Sequence, residues 1–273
     1  MNRLRPARHR WCVTSPTNAV LKTHALRHGF SLIELLVVMG IIALLASLLF
    51  PALARSKRRA CSAACVGNLR QLAIALQIYI QDQGTFPLGT SGDGLGSWQR
   101  ALMTSASSNV FYCPQSVRAS DRYVQIVHPI SPFVYPHYGY NFLGATHSGL
   151  PKPSLGLGGD IVLAGTTLNF LPAPERRVLV PSQMIAIGDS GAFLYTGVGA
   201  QTNASPSDFF YILFPYVVPA FNRPGVGDWH DGNANMLFCD GHIQCAKQSV
   251  WIENMDQARR LWNNDNQSHP ETW

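Results

Sequence analysis

The chain has 273 residues, 47% of them apolar, enough to bury a core in one ordinary domain or two small ones, which excludes a disordered chain. A net charge of +6 invites a nucleic-acid partner, yet Arg3, Arg5, Arg8, Arg10, Lys22 and Arg27 all lie in residues 1–29, which hold no acid. Setting those six aside from 21 Lys and Arg leaves 15, balanced by 15 Asp and Glu, and a neutral remainder offers no general phosphate-binding surface, so no nucleic acid is expected.

Residues 1–29 read as a basic leader. From Leu35 to Leu53 the next 19 residues carry no charge, close to the ~20 needed for a helix to cross a bilayer. The run is too long for the core of a cleaved secretory signal, and Pro51 and the basic Arg55, Lys57, Arg58 and Arg59 stand where a small-residue cleavage site is needed. Residues 30–54 are therefore expected to be a transmembrane helix, the leader's charge favouring a cytoplasmic N-terminus. Glu34 opens this helix, and an unpaired carboxylate at the bilayer centre costs about 2.5–3.5 kcal/mol. It needs a partner.

Gly29-Phe30-Ser31-Leu32-Ile33-Glu34-Leu35-Leu36-Val37-Val38 resembles the processing site of type IV prepilins and type II secretion pseudopilins. The resemblance implies that a prepilin peptidase cuts after Gly29 and methylates the new amino group of Phe30. It makes Glu34 the fifth mature residue, with a role in filament assembly. The chemistry agrees, since a helix N-terminus favours a carboxylate, and in a filament Glu34 can meet a neighbouring subunit's Phe30 amine in a medium of low dielectric.

No proline interrupts residues 52–86, and Leu69, Leu72, Leu76 and Ile80 recur at helical spacing. Residues 55–84 are thus read as an amphipathic continuation ending near Gly84, with Pro87 just beyond. Residues 85–273 hold short apolar runs bounded by Gly and Pro, at 109–113, 123–127, 133–143, 183–188, 210–218 and 235–245. Residues 149–167 read as a glycine-rich loop or two short strands, and 249–262 as a final helix. The expected fold is α+β and pilin-like, a long N-terminal helix packed on an antiparallel sheet head.

Beyond Cys12 in the leader stand Cys61, Cys65, Cys113, Cys239 and Cys245, an odd number that cannot all pair internally. Asp240-Gly241 between two apolar runs predicts a two-residue type I′ hairpin. That register opposes Cys239 to His242, Phe238 to Ile243, Leu237 to Gln244 and Met236 to Cys245. It puts Met236, Phe238, Ile243 and Cys245 on the core face and leaves Cys239 on the other as a thiol outside any disulfide. His230, Asp231, Asp240 and His242 bracket the hairpin, and Asp189, His230, Asp240 and His242 form the candidate metal set. The plainer alternative has His230 and Asp240 fixing the turn by hydrogen bonds. No Gly-x-Ser-x-Gly, Walker sequence or helically spaced carboxylate pair occurs in the head, so no catalytic residue is assigned.

In the head, Cys65-x-x-Asn-Leu-Arg-Gln, Phe-Tyr-Cys113-Pro, Tyr138-Gly139-Tyr140-Asn141, Asp189-Ser190 and His230-x9-Asp240-Gly241 resemble landmarks of a bacterial pilin-like subfamily. So do the closing stretches Leu261–Asp265 and His269–Trp273. This resemblance, with one cysteine on the helix and one beside Pro114, implies a Cys65–Cys113 disulfide. Cys61 and Cys65 look like a metal pair, but no Cys-x-x-Cys knuckle or clustered His partner accompanies them, so no structural zinc and no cofactor is expected. The oxygen ligands and glycines of the hairpin region are similar to the calcium loops of some major pseudopilins, which makes calcium the alternative. The whole resemblance implies a non-enzymatic subunit in the inner membrane, its head periplasmic. The implied partners are prepilin peptidase, an assembly platform, the bilayer and other pilin-like subunits in a secretion or pilus-like filament. The alternative from another class is a single-span, membrane-anchored periplasmic protein binding a polysaccharide or metal, which exposed Trp98, Trp229 or Trp251 beside a groove would favour. A third reading, a metal-dependent enzyme, calls for bound metal with an open coordination position.

Overall fold

The computed structural model describes residues 31–89, 97–115, 138–145, 154–164, 167–191, 194–195, 209–210, 213, 215, 217–218, 223–252 and 255–270. The leader, the Gly29–Phe30 cleavage site, the 123–127 run, parts of the 133–143, 149–167 and 210–218 runs, and residues 271–273 lie outside them. The chain divides into two compact units, Met1–Pro51 and Ala52–Trp273.

Helix α1 spans Leu32–Gln83 and contains Pro51. In the first unit its apolar side chains point outward: Leu36 is 72% exposed, Leu44 62% and Phe50 67%. Among the described residues this is the one helix long and apolar enough to cross a membrane. Within the second unit, Cys65, Leu69, Leu72, Ala73, Leu76 and Ile80 are buried, the stripe that the leucine spacing predicts. Gly84 ends the helix at φ +67° and donates its N–H to Ile80 O at 2.7 Å, a left-handed cap that glycine adopts without steric cost.

The head is built on a four-stranded antiparallel sheet in the order β1-β4-β9-β10, from β1 (Tyr138–Tyr140), β4 (Ile185–Asp189), β9 (Asn233–Phe238) and β10 (Ile243–Lys247). Among the described residues three two-stranded pairs lie outside it: β2 (Asp160–Ala164) with β3 (Thr167–Leu171), β5 (Leu194–Tyr195) with β6 (Phe209–Phe210), and β7 (Val217–Val218) with β8 (Arg223–Pro224). Strands β1, β4 and β9 are buried on both faces, while β10 is partly exposed. One face packs against α1, joining Leu69, Leu72 and Leu76 to Tyr138, Tyr140, Leu237 and Cys239. The other joins Ile185, Ala234, Met236 and Phe238 to Trp251 and Trp262.

Several expectations change. The 109–113 run forms a 3-10 turn, Ser108–Phe111, that buries Val110 and Phe111, and a short helix α2 (Ser97–Leu102) precedes it. The 249–262 segment holds two short helices, α3 (Gln248–Ile252) and α4 (Asp256–Arg260); the buried Trp251 of α3 and Trp262, just past α4, meet through Trp262 Nε1 donating to Trp251 O at 3.0 Å.

The β9–β10 hairpin has a three-residue loop: Phe238 N–H donates to His242 O, Gly241 alone in the turn has positive φ (+93°), and Leu237 faces Ile243. Asp240 Oδ1 accepts the His242 N–H at 3.1 Å, an Asx turn that satisfies Asp240 in ordinary backbone space instead of the left-handed conformation of type I′. One residue of slip exchanges the faces of β10. Ile243 therefore packs on the α1 side, Cys245 is exposed, and Cys239 is buried in the core beside Leu237. Positive φ at both central residues occurs instead at Asp231 (+54°) and Gly232 (+83°), in the tight turn joining His230 to Asn233.

Candidate functional site

Among the described residues, each unit holds a place where polar groups meet in a way that bears on function. At the start of α1, Ser31 N–H donates to Glu34 Oε2 at 2.9 Å and Glu34 N–H donates to Ser31 Oγ at 3.2 Å. This is a reciprocal capping box that satisfies two helix-end donors. Ser-x-x-Glu was visible in the sequence, so Glu34 has a local partner as well as the intersubunit one expected of it.

The second place is buried beneath the sheet edge. Cys65 reaches it from α1, Cys113 from the segment after the 3-10 turn, Asp189 from the end of β4, and His230 from the turn that enters β9. Ligand atoms of Cys65, Cys113 and His230 all lie within 4.8 Å of one another. His230 Nε2 is 3.6 Å from Cys113 Sγ and 3.3 Å from Asp189 Oδ2, while Nδ1 donates to Gln115 Oε1 at 3.0 Å. Asp189 Oδ2 accepts the backbone and side-chain N–H groups of Asn235 at 2.7 and 3.0 Å, and Asp189 Oδ1 is buried without a hydrogen-bond partner.

Neighbours hold these groups in place. Asn68 donates to Tyr112 O at 2.9 Å, pinning the cysteine-bearing segment to α1, and Tyr138 Oη donates to Cys65 O at 3.3 Å. Arg58 lies 3.4 Å from Asp231, tying α1 to the His230 turn. Hydrogen bonding from Cys65, with His230 adding to it, pulls the Cys113 thiol down to about 6 against the opposing effect of burial. Cys65 is pushed up, first by its hydrogen bond to Cys113 and then by burial. Burial disfavours charge on His230, but hydrogen bonds to Asp189 and Cys113 outweigh it and raise its pKa to about 10.

The expected set of Asp189, His230, Asp240 and His242 divides into two pairs. Asp240 Oδ1 contacts His242 Nδ1 at 2.6 Å at the exposed hairpin tip, whereas Asp189 and His230 are buried together. Among the described residues the one group of three or more candidate ligands is Cys65, Cys113 and His230. Trp98 and Trp251 are core residues, each 1% exposed, and Trp229 donates its Nε1 to Ser190 O at 3.1 Å.

A family model for the prokaryotic N-terminal methylation motif matches residues 25–50. The chain carries a prepilin-type N-terminus. It is therefore a prepilin-like protein of the kind processed by a prepilin peptidase, and its apolar N-terminal helix is a single-pass membrane anchor. No curated protein and no solved structure matches the chain. The prepilin-type match covers Ser31 and Glu34 but ends before the head.

The head's landmark residues prove to be structural hubs. Asn141 Nδ2 donates to Ile185 O at 2.8 Å and Trp262 O at 2.9 Å, while its Oδ1 accepts Gly144 N–H at 3.1 Å. Asn263 Oδ1 accepts Ala145 N–H, and Asn264 Nδ2 donates to the carbonyls of Ser154 and Gly156. Reading the sequence identified these asparagines as landmarks without their role, which depends on loops distant in the chain.

Proposed function

We propose that the protein is a pseudopilin-like structural subunit of a type II secretion or type IV pilus-like filament, with its head on the periplasmic side and no catalytic turnover of its own. The observation that carries this reading is the prepilin-type N-terminus, in which an acidic residue opens a helix whose apolar side chains are exposed among the described residues of its unit. Lipid covers such a surface before assembly, and neighbouring subunits cover it afterwards. Cleavage after Gly29 leaves the Ser31 amide intact, so the capping box survives maturation and Glu34 keeps one carboxylate oxygen on Ser31 N–H while its charge faces the neighbour's Phe30 amine.

The experiment separates cap from charge. Glu34→Gln retains a capping acceptor but removes the charge, whereas Glu34→Ala removes both. Both variants should be cleaved and membrane-resident, since neither alters the scissile bond. Both should fail to give sheared filaments or intersubunit crosslinks, because breaking a buried ion pair costs about 3–5 kcal/mol. Normal assembly of Glu34→Gln would assign Glu34 to helix capping alone and remove the filament reading's physical basis.

A further inference from the structure

We infer that Cys65, Cys113 and His230 form a zinc site that staples α1 to the head. The three side chains come from three separate parts of the fold, all are buried, at 0%, 0% and 5% exposure, and their ligand atoms lie within 4.8 Å of one another. A tetrahedral zinc with bonds of about 2.3 Å to sulfur and about 2.0–2.1 Å to nitrogen requires a sulfur-to-nitrogen edge of about 3.6 Å. The observed spacing from Cys113 Sγ to His230 Nε2 is 3.6 Å.

The orientation of His230 supports the same assignment. Its Nδ1–H is committed to Gln115, so Nε2 is the ring nitrogen that faces Cys113 and takes the metal once its proton leaves, the arrangement in which a second partner fixes the orientation of a ligating histidine. Asp189 Oδ2 lies 3.3 Å from Nε2 and its Oδ1 is buried with no hydrogen-bond partner, so a cation held by the cysteines and the histidine meets a carboxylate beside it. A disulfide between Cys65 and Cys113 accounts for neither the histidine's direction nor that oxygen. Two thiolates and an imidazole suit zinc rather than calcium, which prefers a shell of six to eight oxygens. Binding releases the Cys65 thiol proton and the His230 Nε2 proton to solvent and needs no oxidant.

The test uses the full mature chain, extracted in detergent without chelator. Elemental analysis should find one zinc per chain, and a strong chelator should lower the melting temperature, with added Zn²⁺ restoring it. Substitution by Co²⁺ should give a thiolate-to-metal absorption band. Gln115→Leu leaves every ligand in place and should weaken zinc binding about 10- to 100-fold, which keeps the proposal testable if Cys65→Ser or Cys113→Ser fails to fold. A metal-free protein whose mass is lower by two hydrogens, with Cys65 and Cys113 resistant to alkylation until reduced, would establish the disulfide and overturn the zinc site. Full alkylation of both thiols with no zinc bound would overturn it as well. None of these outcomes depends on whether the chain forms filaments.

Discussion

Leu44 and Leu72 belong to the same helix and have opposite surroundings: the first is 62% exposed, the second fully buried against the sheet. Helix propensity is equal at both, so the contrast lies in what the rest of each unit supplies. Around Leu72 the head provides a continuous core that includes Trp98, Phe111, Tyr138 and Tyr140. Around Leu44 the described residues of the first unit supply no such core, and the apolar surface is left for lipid or another subunit to cover. One sequence pattern, leucine at helical spacing, therefore serves two solvents.

The sharpest way to break that comparison is to make the same substitution in both places. Leu72→Ala should destabilise the head by about 3–5 kcal/mol, the usual cost of a buried leucine cavity, measured by urea unfolding in detergent. Leu44→Ala should leave the head's unfolding midpoint within about 0.5 kcal/mol of wild type and change membrane retention or subunit packing instead. Equal effects at the two positions would mean that the first unit contributes to the head's stability.

Asn141 sharpens the comparison from the polar side. In the anchor, the described side-chain hydrogen bonds reach no farther than three residues along the helix, as in Ser31 with Glu34 and Ser47 with Leu44 O. In the head, Asn141 joins β4, the Gly144 turn and the Trp262 segment at once. Its replacement by Ala leaves buried carbonyls unsatisfied, so the head should lose about 1–3 kcal/mol. Asn141→Asp should not rescue it, because an ionised carboxylate cannot donate to the Ile185 and Trp262 carbonyls. A loss below about 0.5 kcal/mol for both variants would show that water replaces the hub.

What was legible in the sequence follows the range of the interactions. The anchor, the processing motif and the buried face of α1 depend on neighbours a few residues away, and each was readable. The hairpin was half readable: two strands and a turn were expected, but the Asx contact from Asp240 to His242 selected a longer loop and moved the register by one. Cys65 was joined to Cys113 by resemblance and Asp189 stood in one candidate set with His230, but nothing joined the two pairs. Their spacing gives no sign that they meet, because they converge only when α1, β4 and the β9 turn pack together. Gln115, which orients His230, carried no signal at all.

The smallest predicted effect concerns Asp160, where the head supplies what an exposed surface lacks. Arg177 donates two hydrogen bonds to the Asp160 carboxylate, at 2.8 and 2.7 Å, and Ser154 N–H adds a third at 2.7 Å. The Arg177 hydrogen bonds, opposed by partial burial and aided by Ser154, hold the Asp160 carboxyl below its ordinary range. Because the folded value is depressed, the unfolded chain binds the proton first as pH falls. The stabilisation is therefore present above the unfolded pKa of about 3.9 and is lost as pH drops through the lower folded value. Partial exposure of both side chains, 22% and 19%, keeps the contribution at about 1 kcal/mol. Asp160→Asn should lower the unfolding midpoint modestly at neutral pH and converge with wild type in strong acid. Arg177→Lys should recover only part of the loss, since a lysine keeps the charge without the two-pronged geometry. A gap between wild type and Asp160→Asn that stays constant from neutral to strongly acidic pH would assign Asp160 to shape rather than charge. The ion pair would then play no part in fixing β2 to the 3-10 turn at Glu175–Arg177.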